Sequence, residues 1–248
     1  MSEIIKTTAI VLNSVPCTVD GARDLELFSI DMGKIFARAR GVEKPKAKLA
    51  AATQPFCFGE FSLAERGGRY TITDVYVHDT FFQIAYNLDG FVIASSFLEI
   101  ASKLSLAGEN NLELFKLLVN SLKAIVYDKK NPSVAFIEFV VQSLNISGLG
   151  LDFSKCGKCG KRLVGEKSAY FVYEGTGILC PNCANINDSI KLSTAEWEIF
   201  KDVSQNLSNQ NVEEKQYSRD VLVDVMKMMI KQFYFRTGEK IKSLDKYF

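Results

Sequence analysis

The sequence predicts an α+β protein in which an N-terminal five-stranded OB-type β barrel is followed by an α-helical domain that carries an inserted four-cysteine zinc ribbon. Three observations predict this order. Short β-branched or aromatic segments fill the first eighty residues, and apolar residues recur at helical spacing after residue 80. Two Cys-x-x-Cys pairs then interrupt the helical part. We therefore expect a barrel domain at 1–80, a helical domain at 81–248 and a ribbon insertion at about 152–188.

The strands of the barrel are predicted from five segments that are separated by Gly, Asp or Pro. These segments are "TTAIVLN", "DLELFSI", "GKIFARARG", "PFCFGEFSLAE" and "RYTITDVYVH". Most of them alternate polar and apolar residues, which is typical of strands with one buried face. The OB-type barrel is the commonest arrangement of five such strands. An SH3-like barrel is the alternative, because strand spacing alone does not distinguish the two.

The helices are predicted from capping residues and from apolar residues at helical spacing. The first helical segment runs from Phe81 to about Ala107. Four more begin at "NNLELF", "NPSVAF", "STAEWE" and "SRDVLV". Asn131 and Pro132 suit an N-cap and a first helical turn, and Ser193 with Glu196 forms a capping-box pattern. The cysteine pairs therefore fall between the third and fourth helices of the helical domain.

The cysteine pairs have the spacing of a closed zinc site. The four cysteines are Cys156, Cys159, Cys180 and Cys183. Each Cys-x-x-Cys turn presents two thiolates, and two such turns complete a tetrahedral shell for one structural Zn²⁺. The intervening "AYFVYEGTGIL" alternates and turns at its glycines, which predicts a β-hairpin. A redox dithiol is the alternative, but two matched pairs argue against it. Cys17 and Cys57 fall in the barrel and are predicted to be buried or half-buried.

A basic stretch in the barrel is the second candidate site. Its cations, six in residues 33–48, are Lys34, Arg38, Arg40, Lys44, Lys46 and Lys48. On a strand, Arg38 and Arg40 share one face with Phe36, while small apolar residues face the other way. Such a strip can neutralise phosphates, and an exposed aromatic ring can stack on a base. The alternative is a solvated edge strand followed by a charged loop.

Composition excludes several classes of protein. The formal net charge is only +1, so nucleic-acid binding must come from local patches. No apolar run reaches the roughly eighteen residues of a membrane span, and "MSEIIKTTAI" does not resemble a signal peptide, so we expect a cytoplasmic protein. One histidine, His78, leaves no His-based triad. Motifs for phosphate binding or nucleophilic catalysis are also absent, so the chain is not expected to be an enzyme.

Besides a DNA-binding protein, three functional classes are compatible with these observations. A zinc-ribbon factor of transcription or translation would share the barrel and the ribbon, but it would not need the long helical part. A metabolic enzyme with a structural ribbon would need a pocket that holds a nucleophile or an acid–base pair. A non-catalytic adaptor would show no salt-dependent binding of DNA.

The order of these parts resembles the RecO family of bacterial DNA-repair proteins over most of the chain. The first segment, "TTAIVLNSVPCTVDGARDLELFSIDMGKIFARARGVEKPKAKLAAATQPF", is similar to the start of the family. "FLEIASKL" and "AFIEFVVQSLNISGLGLDFSKCGKCG" are similar to two helices of the family, the second leading into the first cysteine pair. "GEKIKSLDKYF" is similar to its C-terminus. The chain departs from the family pattern at Ala22, Glu43 and Ala47.

The resemblance implies a recombination mediator. Such proteins bind single- and double-stranded DNA, anneal complementary strands and, with RecR, help load RecA onto DNA coated by single-stranded-DNA-binding protein, whose C-terminal tail they bind. In one pathway RecF also takes part. The resemblance makes 1–80 the DNA-binding OB fold, and a nucleoid-associated protein is expected. Candidates for contact with the acidic tail are Lys116, Lys123, Lys129 and Lys130. The zinc ribbon would stiffen the helical domain or extend the DNA surface through the cations beside the cysteines, which are Lys155, Lys158, Lys161 and Arg162.

Overall fold

The computed structural model describes residues 3–18, 21–42, 49–163, 165–206 and 215–248. The chain forms two compact units. The first comprises Met1–Lys130 and Lys242–Tyr247, and the second comprises Asn131–Ile241 and Phe248. In the described ranges, no helix combines the length and the hydropathy that a membrane span requires.

Five strands of the first unit form a closed barrel. The strands are β1 (Glu3–Pro16), β2 (Arg23–Ser29), β3 (Gly33–Ala39), β4 (Phe58–Arg66) and β5 (Arg69–Asp79). Their order around the barrel is β1-β2-β3-β5-β4. All neighbouring strands are antiparallel except β3 and β5, which pair in parallel. A five-stranded Greek-key barrel of this kind is an OB-type barrel, so the predicted fold class is confirmed.

The barrel core follows the alternation of the strands. On β3, Ile35, Ala37 and Ala39 are buried, while Phe36 and Arg38 are exposed. Buried side chains from the other strands, among them Leu27 and Phe61, fill the same core. The side chains of a strand alternate between its two faces. When the apolar side chains of β3 are buried in the core, the side chains between them therefore point to solvent. The predicted division of the basic strand into an inner and an outer face is confirmed.

Two helices pack against the barrel within the first unit. A 3₁₀ helix (Phe82–Tyr86) leads into α1 (Leu88–Leu104), and α2 (Leu112–Val126) follows. The side chains of Asn87 and Asn111 cap the two α-helices by accepting from backbone N–H groups. These helices belong to the same compact unit as the barrel. The division into functional domains at residues 80 and 81 stays a prediction.

The second unit contains three helices and the cysteine pairs. The helices are α3 (Pro132–Ile146), α4 (Thr194–Asn206) and α5 (Arg219–Thr237). Asn131 caps α3 as predicted. At the start of α4, the Ser193 N–H donates to the Glu196 carboxylate and the Glu196 N–H donates to the Ser193 hydroxyl, which is the predicted capping box.

A small sheet separates α3 from α4. Its strands are β6 (Tyr170–Phe171), β7 (Ile178–Leu179) and β8 (Ile190–Lys191), and β6 lies in the middle. The β6–β7 hairpin is the one predicted between the cysteine pairs. The third strand, β8, was not predicted, because a strand of two residues leaves no periodic pattern in the sequence.

Candidate nucleic-acid groove and metal site

A groove of about 1000 Å³ runs along the outer face of the barrel beside β2, β3 and the β4–β5 hairpin. Arginines dominate its charged lining, and they are Arg38, Arg40, Arg66 and Arg69. Two aromatic residues lie among them. Phe36 is 64% exposed, and Tyr70 is partly buried against the barrel core. Cations beside exposed rings are the side chains that hold a single-stranded nucleic acid, through phosphates and stacked bases respectively.

Strand geometry brings these side chains together from separate parts of the sequence. The β4–β5 hairpin turns at Gly67 and Gly68, whose positive φ angles of 60° and 73° favour glycine. The turn places Arg66 opposite Arg69. The parallel pairing of β3 with β5 then sets Arg38 opposite Thr71, so the hairpin lies beside the basic strand. The groove therefore depends on the strand order of the barrel.

One arginine of the groove is held by an acid on the neighbouring strand. Arg38 Nε donates to Asp24 Oδ1 at 2.7 Å, and Arg38 Nη2 donates to Asp24 Oδ2 at 2.9 Å. The hydrogen bond from Arg38 holds the pKa of Asp24 below its ordinary value, and burial opposes this only in part. The same hydrogen bond raises the pKa of Arg38. Both groups are therefore charged at neutral pH.

Lys34, the first predicted cation, does not belong to the groove. Its Nζ donates to the Ser102 carbonyl oxygen at 2.6 Å and lies 3.6 Å from a Glu26 carboxylate oxygen. Its side chain is only 19% exposed. The ammonium group thus joins β3 to α1, and the structure places it in a packing role instead of on the exposed strip. Lys44, Lys46 and Lys48 lie outside the described residues.

The hairpin residues of the groove were not among the predicted site residues. Arg66, Arg69 and Tyr70 stand in "ERGGRY", a turn signal that has an arginine on each side of two glycines. This pattern could have marked a basic hairpin tip. It could not have placed the tip beside β3, because the parallel pair that does so joins residues far apart in the chain.

The second candidate site is formed by the four cysteines. The sulfur atoms of Cys156, Cys159, Cys180 and Cys183 all lie within 4.8 Å of one another. The Sγ atoms of Cys159 and Cys180 are 3.9 Å apart. Zinc–sulfur bonds of about 2.3 Å in a tetrahedron imply sulfur separations of about 3.8 Å. The four thiols therefore fit a tetrahedral metal ion.

Backbone hydrogen bonds shape the two cysteine turns. In the first turn the Gly160 N–H donates to the Cys156 carbonyl oxygen at 2.9 Å, and Gly160 adopts a φ of 71°. In the second turn the Cys183 N–H donates to the Cys180 carbonyl oxygen at 3.0 Å. The Gly157 N–H donates to the Ile178 carbonyl oxygen at 2.9 Å, which joins the first turn to β7. The hairpin thus carries the second pair back to the first, as predicted.

The thiols differ in acidity because they share hydrogen bonds. Burial alone would raise the pKa of Cys156, but backbone N–H groups of Cys180, Cys159 and Lys158 lower it to about 6. The pKa of Cys183 is raised to about 12, chiefly through hydrogen bonds with Cys180 and Cys159. A divalent cation would stabilise all four groups as thiolates. The donor set therefore fits a soft ion such as Zn²⁺.

The ribbon packs on α4 through aromatic rings. Phe200 of α4 lies 4.8 Å from Phe153 and 5.5 Å from Phe171, measured between ring centroids. All three rings are buried. Trp197, also on α4, is buried and donates from Nε1 to the Glu166 carbonyl oxygen at 2.9 Å. Trp197 thus anchors α4 to the ribbon.

The cations around the cysteine turns are partly neutralised. Lys155 lies 3.2 Å from Asp152, and Lys161 lies 2.5 Å from Glu166. Lys158 and Arg162 are exposed. A zinc ion with four thiolates carries a net charge of about −2, which nearby cations would balance. A role of these residues in binding DNA stays a prediction.

The tail-binding candidates lie on and after α2. Lys116 and Lys123 are exposed on the helix. Lys129 donates from Nζ to the Val126 carbonyl oxygen at 2.8 Å, so its ammonium group caps the helix end. Lys130 is half-buried. These placements do not single out one residue.

The single histidine of the chain is engaged in ring contacts. The centroid of the His78 ring lies 5.3 Å from that of Phe58 and 5.4 Å from that of Tyr76. His78 is thus an exposed residue whose ring packs against two neighbouring aromatic rings.

Comparisons with known proteins agree with the order of the two parts. A family model described as Recombination protein O N terminal matches residues 1–81, and one described as Recombination protein O C terminal matches residues 85–244. A protein of Clostridium novyi (strain NT) is 30% identical over 245 residues, which cover 98% of this chain and 93% of the relative. One of Desulforamulus reducens is 33% identical over 200 residues, which cover 80% and 77% respectively. Both relatives are named DNA repair protein RecO, and this chain belongs to the RecO family of DNA repair proteins.

Proposed function

We propose that the protein is a recombination mediator that binds single- and double-stranded DNA through the barrel groove and anneals complementary strands. With RecR, it would help load RecA onto DNA coated by single-stranded-DNA-binding protein, whose C-terminal tail it would bind. These activities are the ones implied by membership of the RecO family. The protein would act in the cytoplasm, with the nucleoid, and its activities would require no catalytic residue.

The observation that carries the proposal is the groove itself. Four arginines and two aromatic rings line one concave surface of an OB-type barrel. The strand 2–3 face and the loop between strands 4 and 5 are the parts of this fold that bind oligonucleotides in other proteins. The net charge of the whole chain is near zero, so the four arginines make the groove a local positive patch. A positive patch attracts the negatively charged DNA backbone.

The ribbon has a separate, structural role in this proposal. One Zn²⁺ held by the four cysteines would join two turns that few backbone hydrogen bonds hold together. Because all four positions are cysteines, no ligand position is left for water or substrate, as is typical of structural zinc. The ion would therefore stabilise the second unit and take no part in a reaction.

Binding of a fluorescent single strand tests the proposal. The variant Arg40→Ala/Arg66→Ala/Arg69→Ala removes three exposed cations of the groove. We expect the native protein to bind with a strong salt dependence. The variant should bind weakly, and its plot of log affinity against log salt should be less steep by about 2, since each phosphate contact on a single strand contributes about 0.7.

A matched control removes the same charge elsewhere. Lys191→Ala/Lys240→Ala/Lys246→Ala replaces three exposed lysines outside the groove. It should retain the native affinity. Its salt slope should differ from the native slope by no more than about 0.7, the contribution of one phosphate contact. Equal losses in the two triple variants would mean that total charge, and not the groove, governs binding. If the native protein ignores DNA at low salt, the proposed function is wrong.

A further inference from the structure

We propose that Asp24 is a built-in competitor for nucleic-acid phosphate at Arg38, so that the groove releases a strand faster than its arginines alone would allow. The inference rests on the proposed function of the groove and concerns its regulation. A protein that anneals strands must give them up after pairing, and a competitor within the groove would favour release.

The geometry of the pair is the first support. Asp24 and Arg38 are opposite each other on β2 and β3, and two hydrogen bonds of 2.7 and 2.9 Å join them. This two-pronged arrangement is also the one in which a guanidinium binds a phosphate. The carboxylate therefore occupies one two-pronged donor face of the guanidinium and neutralises its charge, so a phosphate binds that face, and the full charge of Arg38, only by displacing Asp24.

The exposure of the pair is the second support. The two side chains are 45% and 44% exposed, and both line the groove. An exposed ion pair contributes little to the stability of a fold, and the barrel core is filled by other residues. The carboxylate therefore lies where a phosphate can reach its partner.

The other charged residues of the groove single out this pair. Within the described ranges, Arg40, Arg66 and Arg69 have no carboxylate partner. Glu26 is the second acid in the lining, but Lys34 lies 3.6 Å from its carboxylate and the Ser102 hydroxyl donates to it at 2.5 Å. Glu26 is thus bound on the side of α1, while Asp24 lies against an arginine of the groove.

The competition has two measurable consequences. Asp24→Asn keeps the shape of the side chain and removes its negative charge. The charge of Arg38 is then no longer neutralised, and no carboxylate repels the phosphates of the strand. We expect the affinity for a single strand to rise about fivefold, mainly through slower dissociation, and the salt slope to steepen by about 0.7.

A double-mutant cycle with Arg38→Ala tests the inference. The probe is a fluorescein-labelled oligothymidine, and the measurements are the dissociation constant and the dissociation rate. In the native background Arg38→Ala should weaken binding by only about twofold, because Arg38 is already neutralised and the carboxylate that it leaves behind is exposed and screened by solvent. In the Asp24→Asn background the same change should weaken binding about fivefold.

Two controls separate competition from other effects. Asp74→Asn removes an exposed acid of β5 that does not line the groove and should leave binding unchanged. Circular dichroism of each variant, compared with that of the native protein, detects any loss of the barrel. If Asp24→Asn weakens binding while the barrel is intact, Asp24 orients Arg38 instead of competing for it, and the inference is overturned.

The remaining outcomes distinguish this inference from the proposed function. If the native protein binds the oligonucleotide with a steep salt slope but Asp24→Asn leaves affinity and dissociation unchanged, the groove binds DNA and the competitor role is overturned. If neither protein binds, both proposals are overturned together.

Discussion

The barrel groove and the cysteine ribbon bring distant residues together in different ways. The barrel uses strands of 7 to 14 residues that pair along most of their length. The ribbon uses three strands of two residues each. In the barrel, hydrogen-bonded pairing and a filled core determine where Arg38 and Arg66 lie. In the ribbon, a few backbone hydrogen bonds hold four thiols whose ionised forms repel one another.

The difference indicates what each region needs in order to keep its site. The arginines of the groove point to solvent, and the core of the barrel beneath them is filled by other residues. The cysteine site has thiols within 4.8 Å of one another, and a cation would stabilise their ionised forms. We therefore expect metal removal to affect the ribbon strongly and the barrel weakly.

Loss of one cysteine should give the largest effect. Cys180→Ser removes a buried thiol of the proposed zinc site, and structural zinc contributes an apparent binding free energy of about 10–16 kcal/mol at neutral pH. We expect the native protein to contain one zinc ion per chain and the variant to contain none. Hydrogen exchange should become fast at Tyr170–Phe171 and Ile178–Leu179, while exchange in β1 and β4 stays slow. Elemental analysis and exchange mass spectrometry measure both results.

Cys17→Ser is the matched control for that substitution. Cys17 is a half-buried cysteine of the barrel and lies outside the cluster. It should retain one zinc per chain and a native exchange pattern in the ribbon. A Cys180→Ser protein that keeps the slow exchange of the ribbon without metal would show that the ribbon, like the barrel, is held by its own packing.

A cavity in the barrel should give the next largest effect. Phe61 on β4 is fully buried in the barrel core, and Phe→Ala changes of this kind cost about 3–5 kcal/mol. We expect Phe61→Ala to speed exchange in the barrel strands and to leave zinc content unchanged. Trp197 is the single tryptophan and lies in the second unit, so its fluorescence should report little change.

An exposed aromatic of the same sheet serves as the control for Phe61. Tyr76 on β5 is 71% exposed, so Tyr76→Ala creates no cavity and should change stability by less than about 1 kcal/mol. Loss of zinc from Phe61→Ala, but not from Tyr76→Ala, would contradict the view that the two sites are maintained separately.

The sequence predicted those features that depend on local pattern. Alternation along Gly33–Ala39 predicted which side chains of β3 face solvent, and the spacing of the cysteines predicted the four sulfur atoms that the structure brings together. It did not predict that Lys34 would bind Ser102, a residue 68 positions away. Nor did it predict that Arg66 would join the groove. Both depend on packing between elements distant in the chain, which leaves no periodic signal.

The smallest effect that we predict concerns a hydrogen bond at the edge of the barrel. Tyr127 donates from its hydroxyl to Asp79 Oδ2 at 2.6 Å, and this bond raises the pKa of the phenol to about 12. Because the folded-state pKa is raised, the stabilisation is complete below the ordinary tyrosine value of about 10 and is lost as the pH rises toward 12. Tyr127 is 50% exposed, so solvent screening limits the contribution to about 0.5–1 kcal/mol.

Tyr127→Phe tests whether this bond adds to the stability that the barrel gains from its core. At neutral pH the variant should unfold at a slightly lower urea concentration than the native protein, and the difference should shrink as the pH rises above about 10. Tyr76→Phe, which changes an exposed tyrosine of the same unit, should show neither effect. Equal unfolding midpoints for the native protein and Tyr127→Phe at neutral pH would mean that packing and strand pairing alone hold this edge. Strand pairing and core packing would then account both for the stability of the barrel and for the positions of the groove arginines, and the contrast with a ribbon that we expect to need a metal ion would be sharper.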